Sequence, residues 1–250
     1  MIRSLAHDIV EDHAGIEYHD LLTHMHRELR PRNYLEIGTR HGGTLALSSC
    51  KSIAIDPNFQ FDNPKILSSR PVSLLYQLAS DDFFANYDAR AIFAEPVQLA
   101  FLDGMHRCEF LLRDFYNTES ASAPNSVIMI HDCLPVEIPM TSREEQGIVP
   151  IEAHRAGWWT GDVWRTALLL KRERPDLDIL ALDAFPTGLI IVTNLDPRST
   201  RLKDNYNSYV KKMLSYDLSE MTITGFFEEM QIRSTSCIDT SEKLTARYWL

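Results

Sequence analysis

The sequence predicts an α/β fold on a doubly wound, mostly parallel sheet, and three observations carry that prediction. Short apolar runs alternate with stretches of helical periodicity. The first run, Tyr34 to Ile37, leads straight into the turn Gly38-Thr39-Arg40-His41-Gly42-Gly43, the place where such sheets bind nucleotide-like ligands. The last two runs, Ile179 to Phe185 and Gly188 to Thr193, are separated only by Pro186 and Thr187. That is too short for a parallel crossover, so they form an antiparallel hairpin at the sheet's end.

Each element follows from its own pattern. From Gly15 to Leu29, Ile16, Tyr18, Leu21, Leu22, Met25 and Leu29 recur at helical spacing, so a helix precedes the first strand. Strands are expected at Tyr34 to Ile37, Ser52 to Ile55, Val72 to Leu78, Val97 to Leu102, Ser126 to Ile130, Ile179 to Leu182 and Gly188 to Thr193. Most of the early runs lack clean alternation, as befits strands covered on both faces. Between them, helices are expected at Gly43 to Cys50, Asp81 to Tyr87, His106 to Thr118 and Asp162 to Arg172, the last with Asp162 as N-cap. Leu134 to Gly157 has no firm period, and a loop of that length is functional or mobile, which makes it a lid candidate. Arg201 to Tyr216 reads as helix, whereas Met221 to Leu250 gives mixed signals that suit an oligomerisation arm or a closing flap. The expected division is a main domain over 1–197 and a C-terminal extension over 198–250.

Bulk properties bound the function. A chain of 250 residues, 44% hydrophobic and 24% charged, supports one globular domain of ordinary core size and excludes a disordered or fibrous protein. A formal net charge of -10 without a block of Lys and Arg argues against nucleic acid or an anionic membrane as partner and for a small-molecule substrate. Cys50, Cys108, Cys133 and Cys237 are widely spaced, which reads as buried thiols in a reducing compartment. The opening residues Met1 to Asp8 turn acidic without developing a secretory core, and no segment approaches the roughly 20 apolar residues of a membrane span. The cytoplasm is the expected location, and the final Tyr248-Trp249-Leu250 suits a homo-oligomer contact.

The glycine turn narrows the ligand. A dinucleotide turn needs glycine at its third position so that backbone can approach the pyrophosphate. Arg40 stands there, which ranks a nicotinamide dehydrogenase low. Glu36 at the strand's end, with Gly38 and Gly42, suits a cofactor that offers an amine and no pyrophosphate. Asp56 closes the next strand, where a carboxylate accepts from both ribose hydroxyls of an adenosine. Ser80 and Asp81 after the third strand supply a polar edge for an adenine. Taken singly, these residues also have structural uses: Glu36 can bond neighbouring backbone, Gly38 can serve the turn alone, and Asp56 can cap a turn.

A second signal lies at two further strand ends, Leu102-Asp103-Gly104-Met105-His106 and Ile130-His131-Asp132-Cys133. On neighbouring strands, Asp103 and Asp132 converge on one edge. Oxygen ligands with an open position suit Mg²⁺, and a neighbouring imidazole tolerates Mn²⁺, Fe²⁺ or Zn²⁺. Such an ion lowers the pKa of a substrate hydroxyl, and His106 or His131 can accept its proton. Rival readings are Asp103 as a cap for the helix near His106 and His131 as a core histidine. Trp158 and Trp159 can wall a substrate pocket, whereas Trp164 reads as packing.

On these residues the chain resembles the class I S-adenosylmethionine-dependent methyltransferases. Glu36-Ile37-Gly38-Thr39-Arg40-His41-Gly42 matches their first motif and Asp56 the acidic end of their second strand. The resemblance implies a Rossmann-like seven-stranded sheet with an antiparallel last strand, Gly38 along the methionine end, Asp56 on the ribose and Asp103 beside the cofactor. Asp103-Gly104-Met105-His106, His131-Asp132-Cys133 and Gly161-Asp162-Val163-Trp164 are similar to the branch of macrolide and aminocoumarin sugar O-methyltransferases and cephalosporin hydroxylase-like proteins. That branch implies a Mg²⁺ site at Asp103 and Asp132, with His131 in place of one acid. The expected activity is O-methyl transfer to a hydroxyl of a sugar or phenolic natural product. Its alternatives are a metal-dependent hydroxylase of the same branch and a non-catalytic adenosine-binding protein.

Overall fold

The computed structural model describes residues 9–61, 64–68 and 70–250; the N-terminal reading at Met1 to Asp8 lies outside them. Seven strands form one sheet: β1 Asn33–Ile37, β2 Lys51–Ile55, β3 Ser73–Tyr76, β4 Val97–Leu102, β5 Ser122–His131, β6 Asp178–Leu182 and β7 Leu189–Thr193. Their order is β3-β2-β1-β4-β5-β7-β6. All pairs are parallel except those of β7, which runs antiparallel to both β5 and β6. The predicted hairpin is thus present, with β7 inserted inside the sheet and β6 at the edge.

Both faces are covered. Leu35 and Ile37 pack into one core with Ile53, Ala100, Leu102 and Ile130, while Tyr34, Ala54, Phe101 and Met129 pack into a second. This alternation places successive side chains on opposite faces and explains the unbroken apolar runs. Helices α4 Cys108–Ala121 and α5 Trp164–Glu173 cover the first face, and α1 Tyr18–Leu29 covers the second through Leu21, Leu22 and Met25. Two short helices, α2 Ser80–Asn86 and α3 Ala89–Phe93, connect β3 to β4. Trp164 is buried edge-on against Phe226, as its reading as packing required.

The extension contains α6 Arg201–Asp204, α7 Tyr206–Leu214, α8 Leu218–Met221, α9 Ile223–Met230 and α10 Ser241–Arg247. It wraps the edge of the sheet. Leu202, Met213 and Phe226 join the first core, and Ile238, Leu244 and Tyr248 join the second. On the way, Arg233 bridges to Leu182, donating to Ala181 O and accepting from Asp183 N, so the β6 edge is partly paired at that point.

Two expectations are corrected. The helix predicted over Gly43 to Cys50 is a single 3-10 turn, Leu45–Leu47. The buried Arg70 guanidinium donates to the carbonyls of Leu45, Ser48 and Ile66, and Ser48 turns extended, so β2 begins before a helix can propagate. Asp162 does not cap α5, whose N-cap is Val163; its Oδ1 accepts from Cys108 N at 2.8 Å and caps α4 instead. The lid candidate is pinned at both ends by buried Arg155, which donates to Asp12, Glu137, Val10 O and Val136 O, leaving a mostly exposed arc over 142–152. Among the described residues, no helix is long and apolar enough to cross a membrane. All four cysteines are unpaired, and Cys108 and Cys133 are buried.

Candidate active site

The parallel strands reverse direction of progression between β1 and β4, and the crevice beyond their carboxyl ends is where such a sheet accepts ligands. Gly38 leaves β1 with φ +88, and a Cβ there would lie 1.9 Å from Asp103 O. Only glycine lets the β1 turn close on the end of β4. Asp103 N in turn donates to Ile37 O at 2.9 Å, so the glycine turn and the first candidate acid are fixed to one another.

On the β1 and β2 side, Glu36 is fully buried. Tyr34 OH donates to its Oε2 at 2.6 Å, whereas Oε1 and the Thr39 hydroxyl are buried and make no well-formed hydrogen bond among the described residues. Burial pushes this carboxyl up to about 7, against the pull of the Tyr34, Thr39 and Thr44 hydroxyls. Asp56 is buried, and each of its oxygens already accepts one backbone N–H, Oδ2 from Arg40 at 2.8 Å and Oδ1 from Asn58 at 2.7 Å. A carboxylate oxygen accepts two hydrogen bonds, so acceptor capacity remains. Gly42 turns with φ +78 against Phe61 and Ile66. Asp81 is held bidentate by Arg113 at 2.7 Å and 2.7 Å. Ser80 bonds the carboxyl of buried Asp114, which burial pushes up to about 7.

At the ends of β4 and β5 the four predicted residues come together. His106 Nε2 lies 3.5 Å from Asp103 Oδ1 and 3.3 Å from Asp132 Oδ2; His131 Nδ1 lies 3.5 Å and 3.3 Å from the same two atoms. Burial opposes charge on both rings, but the Asp132 and Asp103 carboxylates outweigh it, pushing His106 up to about 9 and His131 up to about 10. Burial likewise works against Asp103, yet His131 and His106 hold its carboxyl well below the usual range. Asp103 caps nothing: α4 begins at Cys108 behind Arg107, with no side-chain cap from its own N-cap residue. Asp132 sits in the left-handed region at φ 58, and its Oδ1 accepts from Thr187 Oγ1 at 2.5 Å.

The surrounding shell joins Tyr18, His19, Phe185 and Met105, which the sequence did not single out for the site, to Trp158 and Trp159, which it did. Tyr18, in the first turn of α1, lies face-near on His131 with ring centroids 3.9 Å apart. Burial, then Asp103 and Asp132, raise its phenol far above the ordinary value. His19 pairs with Glu17 at 3.1 Å and reaches the glycine turn, its Nε2 3.3 Å from where a Cβ on Gly43 would stand. Trp159 stacks on His106 at 4.7 Å, and Trp158 meets the half-exposed Phe185 edge-on at 5.0 Å. Met105, next to the Asp103-Gly104 turn, is 54% exposed. A second group of potential ligands, Cys108, Glu109 and Asp162, is closed by Arg143, which pairs with both carboxylates.

Comparisons with known proteins give one family match and several solved structures. Residues 35–133, from β1 to just beyond the Asp132 turn, match the family described as a methyltransferase domain. Search of the curated proteins gives no match. Solved structures of similar shape include an S-adenosylhomocysteine-bound methyltransferase from Podospora anserina, at 13% identity and a TM-score of 0.49, covering 72% of this chain and 78% of that one. They also include the O-methyltransferase TomG from Streptomyces achromogenes, involved in tomaymycin synthesis and solved with S-adenosylmethionine, at 15% identity, a TM-score of 0.47, and coverage of 70% and 78%. An O-methyltransferase from Bacillus cereus in complex with S-adenosylhomocysteine matches at 17% identity and a TM-score of 0.43, covering 70% and 80%. Residues 35–133 are thus similar to a methyltransferase domain, on a sheet of order β3-β2-β1-β4-β5-β7-β6.

Proposed function

We propose that the protein transfers a methyl group from S-adenosylmethionine to a hydroxyl of a small molecule, a sugar or phenolic natural product, with a divalent cation at Asp103, His131 and Asp132. The observation that carries this reading is the convergence of two carboxylates and two imidazoles at the crevice, directly beside the glycine turn. The cofactor supplies an electrophilic methyl on a sulfonium, and the ion lowers the pKa of the acceptor hydroxyl.

The chain's residues fit both groups. Glu36 has one buried oxygen that makes no well-formed hydrogen bond among the described residues, Gly38 and Gly42 shape the turn with positive φ, and Asp56 retains acceptor capacity for ribose hydroxyls. Ser80 and Asp81 mark the adenine side. At the other end, Asp103 and Asp132 orient the acceptor oxygen, and the apolar rim of Trp158, Trp159, Phe185 and Met105 excludes water and accepts a ring face. His106 or His131 holds the proton. Residues 1–197 form the catalytic domain on this reading and 198–250 an extension, whose exposed Trp249 suits contact with a second copy. Unpaired cysteines and a formal net charge of -10 fit a cytoplasmic protein with no nucleic-acid or membrane partner.

The test is calorimetric titration with S-adenosylhomocysteine, followed by transfer of labelled methyl from S-adenosylmethionine to a panel of sugars and phenols. One-to-one binding and label in a hydroxyl ether are expected; failure of the protein to bind S-adenosylhomocysteine overturns the reading.

A further inference from the structure

The metal-binding part of the proposed function can be taken one step further, and the step rests on that reading. We infer that His106 is a ligand as well as a neighbour, so that the centre is a two-histidine, two-carboxylate site selective for Mn²⁺, Fe²⁺ or Zn²⁺ over Mg²⁺, and the acceptor's proton leaves to solvent rather than to either imidazole.

The four ligand atoms alternate nitrogen and oxygen around one space, with His106 Nε2 and His131 Nδ1 each 3.3–3.5 Å from both Asp103 Oδ1 and Asp132 Oδ2. Donors on a common ion with bonds of about 2.1 Å stand about 3.0 Å apart at right angles and about 3.4 Å apart at tetrahedral angles. The separations between neighbouring donors are close to those of ligands around one ion: Asp103, His131 and Asp132 offer ligand atoms all within 4.8 Å of one another, and His106 stands at the edge of that group against both carboxylates. The neighbouring separations are too long for well-formed hydrogen bonds. His131 Nδ1 is fully buried, faces this space and has no hydrogen-bond partner among the described residues.

The outer contacts point the same way. A ligating imidazole usually donates its other N–H to a carbonyl or carboxylate, which fixes the tautomer and turns the lone pair toward the ion. His106 Nδ1 lies 3.0 Å from Trp159 O, and its ring is stacked on the Trp159 indole. Its backbone is equally fixed: His106 O accepts from Asp162 N at 3.2 Å, and a Cβ on Gly161 would fall 1.9 Å from that oxygen. Thr187 occupies Asp132 Oδ1 and leaves Oδ2 for the centre. Two nitrogen donors disfavour Mg²⁺, which prefers oxygen and keeps its waters, and suit the softer divalent ions.

The experiment uses the full chain and the metals alone. Mn²⁺, Zn²⁺ and Mg²⁺ are titrated by calorimetry, and the nitrogens bound to Mn²⁺ are counted by electron spin echo modulation in the unaltered protein. One site, at least tenfold tighter for Mn²⁺ or Zn²⁺ than for Mg²⁺, with two coordinated imidazoles, is expected. His106→Ala should leave one nitrogen and weaken Mn²⁺ about 10- to 100-fold, with affinity for S-adenosylhomocysteine kept within about threefold. One imidazole in the unaltered protein, or Mg²⁺ bound as tightly as Mn²⁺, overturns the inference. Binding of S-adenosylhomocysteine by a protein that takes up none of the three metals overturns it together with the metal-assisted mechanism while leaving methyl transfer standing. Two imidazoles on Mn²⁺ without S-adenosylhomocysteine binding supports the inference and sinks the cofactor assignment instead.

Discussion

The two ends of the crevice carry the same sequence mark, an acidic residue closing a strand, and use it differently. At the β1 and β2 end, Asp56 is engaged on both oxygens by backbone N–H groups, and farther along Asp81 is engaged by Arg113. These acids shape their own loops before they meet any ligand. At the β4 and β5 end, Asp103 and Asp132 turn toward each other's histidines across a space that no described donor fills with good geometry. An acid at a strand end is thus no sign of chemistry by itself; unsatisfied convergence with a neighbouring strand is.

Substitutions that separate the two ends test this contrast. The largest effect is expected from Gly38→Ala, which forces a Cβ into Asp103 O at a backbone conformation that L residues rarely adopt; the loss is about 4 kcal/mol, read from urea unfolding. Asp132→Ala should weaken Mn²⁺ at least about 100-fold in calorimetry and leave S-adenosylhomocysteine affinity within threefold. A parallel loss of both would merge the two ends into one site. Asp56→Ala should do the reverse, weakening S-adenosylhomocysteine about tenfold while costing about 1–2 kcal/mol of stability through two abandoned N–H groups. Asp81→Ala removes a partly exposed ion pair and should cost under about 1 kcal/mol, with cofactor affinity changed less than threefold. A large affinity loss there would return Asp81 to the cofactor site.

Titration separates the buried histidines in the same way. Burial holds His26 down to about 4, below the 6.5 of an exposed imidazole. The unfolded chain therefore takes up the proton first, and stability falls as pH drops from about 6.5 toward 4. His106 and His131 are pushed up, so in the metal-free protein their contribution is complete below about 6.5 and is lost as pH rises through 9 and 10. Unfolding midpoints measured across this range should show both limbs, with His26→Leu flattening only the acid one.

Much of this was legible in the residues. The apolar runs located every strand, the central ones because burial on both faces leaves no polar alternation to confuse them, and Gly38, Asp103 and His131-Asp132 stood at strand ends where topology brings side chains together. What escaped was non-local. Asp162 caps a helix that begins 54 positions earlier, and Arg70 takes the carbonyls that a helix after Gly43 would have used. Tyr18 continues the apolar stripe of α1 and is indistinguishable in sequence from a core residue, yet it lies on His131. The mixed signals after Met221 resolve into short helices because their apolar residues serve both faces of the sheet in turn.

The most direct measurement is a titration of the full chain with S-adenosylhomocysteine, with and without saturating Mn²⁺. The account predicts one cofactor per chain in both cases, weakened selectively in Asp56→Ala, and one Mn²⁺ per chain, weakened selectively in Asp132→Ala. A protein that binds neither, or in which both substitutions abolish both ligands without unfolding, would contradict the division of the crevice into a cofactor end and a metal end.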